Sequence, residues 1–313
     1  MDNSLVSVII PAYNAQDFIA QTIESVINQT YPYWEMWVVD DGSTDGTAAI
    51  VKSYQGDSRI KYLYQPNQER AAARNHGIRC ASGKYIAFLD ADDVWLPDKL
   101  STQVEYLDYH PEVGLCFTQF SLINGQGLPL GRQAVNFVSG PDQFYQLLRG
   151  NFIPNSTVII PRSILEKVGL FDESLPAFGC EDWDMWLRIA RFYPIHLIDH
   201  PLALYRLHES NTSLERMRLS AEAVLQKVFT DPTLPPYIVK NRKIVYTSLY
   251  LNFSETYLRL NQRQRAFEYW RRAWQVYPKG LFSLKRSWWA MLKLCLPYSV
   301  ISNLPKLRSV IEN

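Results

Sequence analysis

The sequence predicts an α/β fold: a mostly parallel sheet with helices on both faces, followed by an α-helical C-terminal region. Three observations carry that prediction. Apolar runs alternate with helix-spaced segments from Val6 to Leu89, the pattern of a parallel sheet covered on both sides. One run, Tyr85-Ile86-Ala87-Phe88-Leu89, stops at Asp90, Asp92 and Asp93. Those acids then sit at a strand's C-terminal end, where open α/β sheets bind ligands. After about Asn211 strand signals vanish and helical periodicity takes over.

Taken in order, residues 6–11 are a strand and residues 17–29 a helix, with Phe18, Ile19, Ile23, Val26 and Ile27 at helical spacing. Residues 34–39 form a strand that runs into Asp40-Asp41-Gly42-Ser43-Thr44-Asp45-Gly46-Thr47, a loop opening a helix through Ile50 and Val51. A strand over 60–64, a helix over 69–80 and the strand over 85–89 follow. The middle predicts a helix over 96–110, a strand over 113–117, a turn region over 125–131, a strand over 156–160 and a helix over 163–168. Glu181-Asp182-Trp183-Asp184 opens a further helix, its acids favoured by the helix dipole. Two short strands, 195–198 and 202–207, precede helices over 215–229, 237–260, 263–276 and 281–294.

Composition agrees with a packed, soluble-type chain. The 313 residues are 47% hydrophobic and 20% charged, enough for one large domain with an appendage. A net charge of +1 gives no global pull toward nucleic acid. Cys80, Cys116, Cys180 and Cys295 lie far apart, so they are expected reduced and mostly buried in a cytosolic setting. No basic leader with a long apolar stretch opens the sequence, and no run reaches the ~18 to 20 apolar residues of a spanning helix.

Three carboxylates as close as Asp90, Asp92 and Asp93 repel one another unless a divalent cation binds among them, and hard oxygen ligands suit Mg²⁺ or Mn²⁺. A nucleotide-sugar donor would use such an edge fully. Asp41 or Asp40 is placed to accept from uracil N3–H, with Pro11 and Tyr13 as a wall for the base. Asp90 would accept ribose hydroxyls, with Ala91 beside it, and Asp92 would ligate a cation bridging both phosphates. Arg70 and Arg74 would add phosphate contacts. Acceptor activation needs one more carboxylate, and Asp182 is the candidate base. Glu181 and Trp183 flank it on the acceptor side; Trp183 would stack on a sugar or lie in the core. His208, ending a strand ahead of a polar loop, is a further metal ligand or diphosphate contact.

Several stretches in order resemble glycosyltransferase family 2. They are residues 6–14 (Val-Ser-Val-Ile-Ile-Pro-Ala-Tyr-Asn), 38–45, 73–78, 83–93 and Glu181-Asp182-Trp183-Asp184-Met185-Trp186-Leu187-Arg188. The resemblance spans about two thirds of the chain. It implies a GT-A fold, a Rossmann-like sheet, a nucleoside-diphosphate-sugar donor, a divalent cation and inversion at the anomeric carbon. It further implies Asp41 at the base, Asp90 at the ribose, Asp92 on the metal and Asp182 as catalytic base. Pro11, Tyr13 and Arg74 fall in its donor site, and some members carry a histidine metal ligand where His208 stands. On this reading residues 1–210 are catalytic, with the nucleotide-sugar part over about 1–95 and the acceptor part over 96–210, and residues 211–313 are a helical region.

The expected enzyme moves a sugar, most readily from a UDP-sugar, to a carbohydrate or lipid-linked acceptor. Its setting is the cytoplasm or the inner face of the cytoplasmic membrane. Lys285, Arg286 and Lys293 beside Trp288, Trp289, Leu292 and Leu294 suit an anionic membrane surface. A structural subdomain, or a contact between copies of the chain in a homo-oligomer, is the other reading of that tail. Two alternatives to the transferase stand beside it. Asp90-Ala91-Asp92-Asp93-Val94 matches the Asp-x-Asp-x-Val pattern of aspartyl-phosphate phosphatases, with Asp90 as nucleophile. A module that binds nucleotide sugars without turnover is the other.

Overall fold

The computed structural model of the chain describes residues 3–175, 179–208 and 214–279. Its N-terminal half is the expected alternation: β1 (Val6–Ala12), α1 (Ile19–Ile27), β2 (Trp34–Asp40), α2 (Thr47–Ser53), β3 (Ile60–Tyr64), α3 (Glu69–Cys80) and β4 (Tyr85–Phe88). These strands lie side by side in the order β3-β2-β1-β4, all parallel. Burial on both faces explains their continuous apolar runs: Val6, Val8, Ile9, Ile10 and the whole of β4 are buried. The acid-rich strand ends therefore share one edge.

Helix α3 is held closer to the sheet than a helix with larger side chains allows. Its buried face is Ala72, Ala73 and Gly77. A Cβ on Gly77 would meet Ile9 Cγ2 at 2.7 Å and Val39 Cγ2 at 3.2 Å. This close approach brings Arg74, one turn earlier, down to the strand ends.

The second half of the sheet is mixed. It comprises β5 (Val94–Trp95), α4 (Lys99–Tyr109), β6 (Leu115–Asn124), β7 (Pro129–Gln133), α5 (Gln143–Leu148), a 3₁₀ turn over Asn155–Thr157, β8 (Ile159–Pro161), α6 (Arg162–Val168), α7 (Glu181–Phe192) and β9 (Ile195–Leu207). The order continues β4-β8-β6-β9-β5, with β7 paired to β6. Only the β6–β9 pair is parallel here.

Several boundaries differ from the sequence expectation. The strands foreseen over 195–198 and 202–207 are one 13-residue strand. Its ladder with β6 shifts register around Gln119, opposite Pro201. Proline removes one ladder donor but leaves both halves on the same partner. The helix foreseen over 237–260 breaks at Asn241 into α9 (Pro236–Lys240) and α10 (Arg242–Arg259). The strand foreseen at 156 starts at Ile159, after the 3₁₀ turn. Strands β5 and β7 and helix α5 carried too little periodicity to be foreseen. Of the cysteines, Cys116 and Cys180 are buried but Cys80 is exposed; Cys295 lies outside the described residues.

The chain divides into two compact units, one of Met1–Leu147 with Asn151–Val224 and one of Leu148–Gly150 with Leu225–Asn313. The division thus falls within α8 (Leu214–Thr230) rather than at residue 210. In the second unit α10 and α11 (Arg263–Val276) form a helical hairpin. Tyr257 stacks on Tyr269 at 5.2 Å, and Ser254 Oγ donates to the Ala266 carbonyl at 2.8 Å. Among the described residues no helix is long and apolar enough to cross a membrane. The basic, aromatic segment over 281–294 lies outside the described residues.

Replacing Gly77 by valine should force α3 off β1 and β2. Overpacking of this kind costs about 1 to 3 kcal/mol, and thermal denaturation should show a lower Tm for Gly77→Val. An unchanged Tm would mean the helix is free to retreat.

Candidate active site

At the end of β2 the two aspartates part company. Asp40 is fully buried; its Oδ1 accepts from the Ser43 N–H and its Oδ2 from the Tyr62 hydroxyl, both at 2.8 Å. Each oxygen accepts one bond, from the loop and from β3, so Asp40 braces the loop against the sheet. Burial and the Asp40 carboxylate push the Tyr62 hydroxyl upward in pKa. Asp41 accepts on Oδ1 from Gln65 Nε2 at 2.7 Å and the Gln68 N–H at 2.9 Å. Its Oδ2 has no partner among the described residues. His76 Nδ1 lies 2.9 Å from Gln65 Oε1, which fixes the amide that steers Asp41. At the end of β1 Pro11 is half-buried, while Tyr13 is 54% exposed and open to stack on a planar ligand.

The acids after β4 take three roles. Asp93 is buried, accepting from the Arg206 N–H at 2.8 Å and from Ser156 Oγ at 2.5 Å. Burial, then Asp92 and Asp90, push its pKa well up. Asp92 turns outward, its Oδ2 2.7 Å from His208 Nε2. Asp90 accepts on Oδ1 from Arg74 Nη2 at 2.7 Å and Asn155 Nδ2 at 3.0 Å. Ala91 contributes backbone: its carbonyl accepts from Thr22 Oγ1 at 2.9 Å.

Arg74 is buried and joins two segments far apart in sequence. Its Nη2 holds Asp90 and its Nη1 holds Glu181 Oε1. In this arrangement each terminal nitrogen donates to a carboxylate, while the buried Nε has no partner among the described residues. Burial alone would lower the guanidinium pKa; Asp90 and Glu181 outweigh it and raise it. Conversely, burial works to raise the Glu181 carboxyl, and Arg74 overrides this and holds it low. Glu181 Oε2 also accepts from the Cys180 N–H at 2.9 Å, so Glu181 is a fixed strut, not an acceptor contact. Trp183 is 1% exposed and donates Nε1–H to the Leu147 carbonyl at 2.9 Å. It is core, which corrects its sugar-stacking role. Trp186 is core as well. Arg70, on the exposed first turn of α3, adds to the charge that holds Glu181 low.

Asp182 differs from its neighbours. Its Oδ1 accepts from the Trp183 N–H at 2.6 Å and Asn151 Nδ2 at 3.2 Å, while Oδ2 has no partner among the described residues. Burial and then the Glu181 charge push its pKa up to about 7. Asn151, Asn155, Ser156 and Arg206 were not foreseen. Each acts by holding an acid, and only polar residues inside apolar surroundings signalled them.

The Glycosyl transferase family 2 profile matches residues 7–169, half of the chain. The chain belongs to glycosyltransferase family 2. Over 220 residues it is 36% identical to the putative teichuronic acid biosynthesis glycosyltransferase TuaG of Bacillus subtilis, covering 68% of this chain and 83% of the relative. It is 35% identical over 222 residues to the Escherichia coli enzyme WfgD, covering 70% and 83%. The name of WfgD describes β-1,3-glucosyl transfer from UDP-Glc to α-D-GlcNAc-diphosphoundecaprenol. Among solved structures, S. aureus TarS 1–349 superposes with a TM-score of 0.61 at 21% identity, covering 92% of this chain and 87% of that one. The mannosyltransferase PcManGT of Pyrobaculum calidifontis, in complex with GDP-Man and Mn²⁺, gives 0.57 at 22%, covering 92% and 83%. At these identities the likeness concerns the fold, which is GT-A. The family removes the phosphatase reading of Asp90, whose Oδ1 already accepts from Arg74 and Asn155.

Among the described residues no three His, Cys, Asp or Glu side chains form a ready metal cage. Asp92 and His208 offer one oxygen and one nitrogen side by side, a donor pair that fits a cation taking its other ligands from a diphosphate.

Removing Arg74 should leave Asp90 and Glu181 as uncompensated charges. Breaking a buried pair from one side costs about 3 to 5 kcal/mol. Urea denaturation of Arg74→Met should show a loss of that order; a loss below about 1 kcal/mol, the worth of a surface pair, would place the network in solvent.

Proposed function

We propose that this family 2 enzyme is an inverting transferase that moves a sugar from a UDP-sugar to an acceptor hydroxyl, with Asp182 as general base. The observation that carries the reading is Asp182 itself. Among the described residues one of its carboxylate oxygens has no partner, and its pKa is raised to about 7 beside the Arg74–Asp90–Glu181 network. A base with a pKa near working pH both exists deprotonated and pulls usefully on a proton.

In this reading Asp41 Oδ2 accepts from uracil N3–H, Tyr13 and Pro11 cover the base, and Asp90 Oδ2 takes ribose hydroxyls. Asp92 and His208 hold Mn²⁺ or Mg²⁺. The cation, when bound, neutralises charge that develops on the leaving diphosphate. Asp182 Oδ2 takes the proton of the attacking hydroxyl as the new C–O bond forms and the bond to diphosphate breaks. Attack from the side opposite the diphosphate inverts the anomeric carbon. The described complexes of TarS with UDP and UDP-GlcNAc support a uridine donor. The names of TuaG and WfgD support an acceptor in surface polysaccharide synthesis, carried on a lipid diphosphate. Such an acceptor would bring the enzyme to the inner face of the cytoplasmic membrane.

Three measurements test this. Asp182→Asn should keep UDP binding while turnover falls by about 10² to 10⁴; a variant within a few-fold of wild type moves the base elsewhere. In wild type, kcat/KM should rise with pH up to about 7 and then level, because only the deprotonated Asp182 accepts the proton. A flat profile from pH 5.5 to 8 would remove the raised base. In a thermal-shift series with Mn²⁺, UDP should stabilise more than CDP, because cytosine has no N3–H, and EDTA should weaken the stabilisation by both. Stronger stabilisation by GDP would overturn the uridine assignment, and no transfer or donor hydrolysis with any nucleotide sugar would favour a binding module.

A further inference from the structure

Arg206 is 2% exposed, yet among the described residues its guanidinium bonds to no carboxylate, and Asp93 and Asp92 act on it only through space. Nε donates to the Asp92 carbonyl at 2.6 Å, and Nη1 to the Asn124 and Gly125 carbonyls at 3.2 Å each. Nη2 donates to Gln21 Oε1 at 2.5 Å, and the group lies over the Phe18 ring, 5.0 Å from its centre. A buried guanidinium is costly unless its N–H groups find acceptors. Here they find them on three segments: the acid turn, the β6–β7 hairpin and α1. Two residues on, His208 meets Asp92, and its ring lies 4.8 Å from the same Phe18. The Arg206 N–H is fixed in turn by Asp93.

We propose that Arg206, seated on Phe18 and Gln21, is a positioning residue for the diphosphate–cation site. It clamps the main chain of Asp92 while its own strand presents His208, so the two ligands meet at one spacing before any donor arrives. A lysine keeps the charge but carries one nitrogen, so it cannot reach the carbonyls of both the acid turn and the hairpin at once. The inference rests on the assignment of Asp92 and His208 as cation ligands.

The test is Mn²⁺ uptake in the presence of UDP, read from the free-Mn²⁺ EPR signal, beside UDP affinity in EDTA. Loss of support behind metal ligands typically weakens the metal by about tenfold to a hundredfold. Arg206→Lys should weaken Mn²⁺ by at least that lower figure, and Gln21→Met, which removes one acceptor only, by less. Metal-free UDP affinity should stay within about twofold, a separation that general loosening of the fold does not give. Unchanged Mn²⁺ affinity in both variants overturns the inference, as does a parallel fall in metal-free UDP affinity. Should Arg206→Lys fail to fold, Gln21→Met decides alone, and wild-type Mn²⁺ affinity there overturns it. Wild-type protein that takes up no Mn²⁺ with UDP removes the ligand assignment and the inference together.

Discussion

The buried guanidinium of Arg74 is the constraint on which the catalytic end depends. It ties Asp90, at the end of β4, to Glu181, at the start of α7. The end of β4 and the start of α7, which carries Asp182, are thereby held by one side chain. Reaching that place requires α3 to lie against the sheet, which Gly77 permits. The neighbouring Asn75 fixes the approach to α7 through Phe171 and Glu173, donating to both. Arg188 completes the frame from α7, donating to the carbonyls of Val168, Gly169 and Leu170. A change at any of these positions acts on Asp182 through geometry, without touching a substrate.

Charge placement then sorts six nearby carboxylates into distinct tasks. Asp40 and Asp93 are buried and fully bonded, so they shape backbone. Glu181 is neutralised by Arg74. Among the described residues, Asp41, Asp90 and Asp182 each bond through one oxygen only. Each of the six meets two donors among those residues, and the division follows from whether these fall on both oxygens or on one, not from residue type.

That division explains what the sequence could and could not tell. The parallel half of the fold was legible because its strands are apolar throughout and its helices periodic. Asp41, Asp90, Asp92 and Asp182 were legible as acids at strand or helix ends. Which of two adjacent acids points inward was not, because Asp40 and Asp41 differ only in the donors that tertiary folding brings to them. Trp183 shows the same limit: its indole donates to Leu147, a residue no local pattern links to it. The mixed half of the sheet was harder still, since β5 and β7 owe their conformation to pairing with β9 and β6.

The acid turn also has a mechanical side. β4 and β5 are separated across the sheet by β8, β6 and β9. In a flat sheet four steps of about 4.8 Å would put them about 19 Å apart. The chain from Phe88 to Val94 could span about 20 Å only if fully extended. It is not: the Asp93 N–H donates back to the Asp90 carbonyl at 3.1 Å, folding those residues into a turn. The sheet must therefore curl, and the turn is the chord of its arc. A chord of fixed length limits how far the arc can open. The residues proposed to grip the diphosphate thus also act as the tether that limits how far the sheet can flatten.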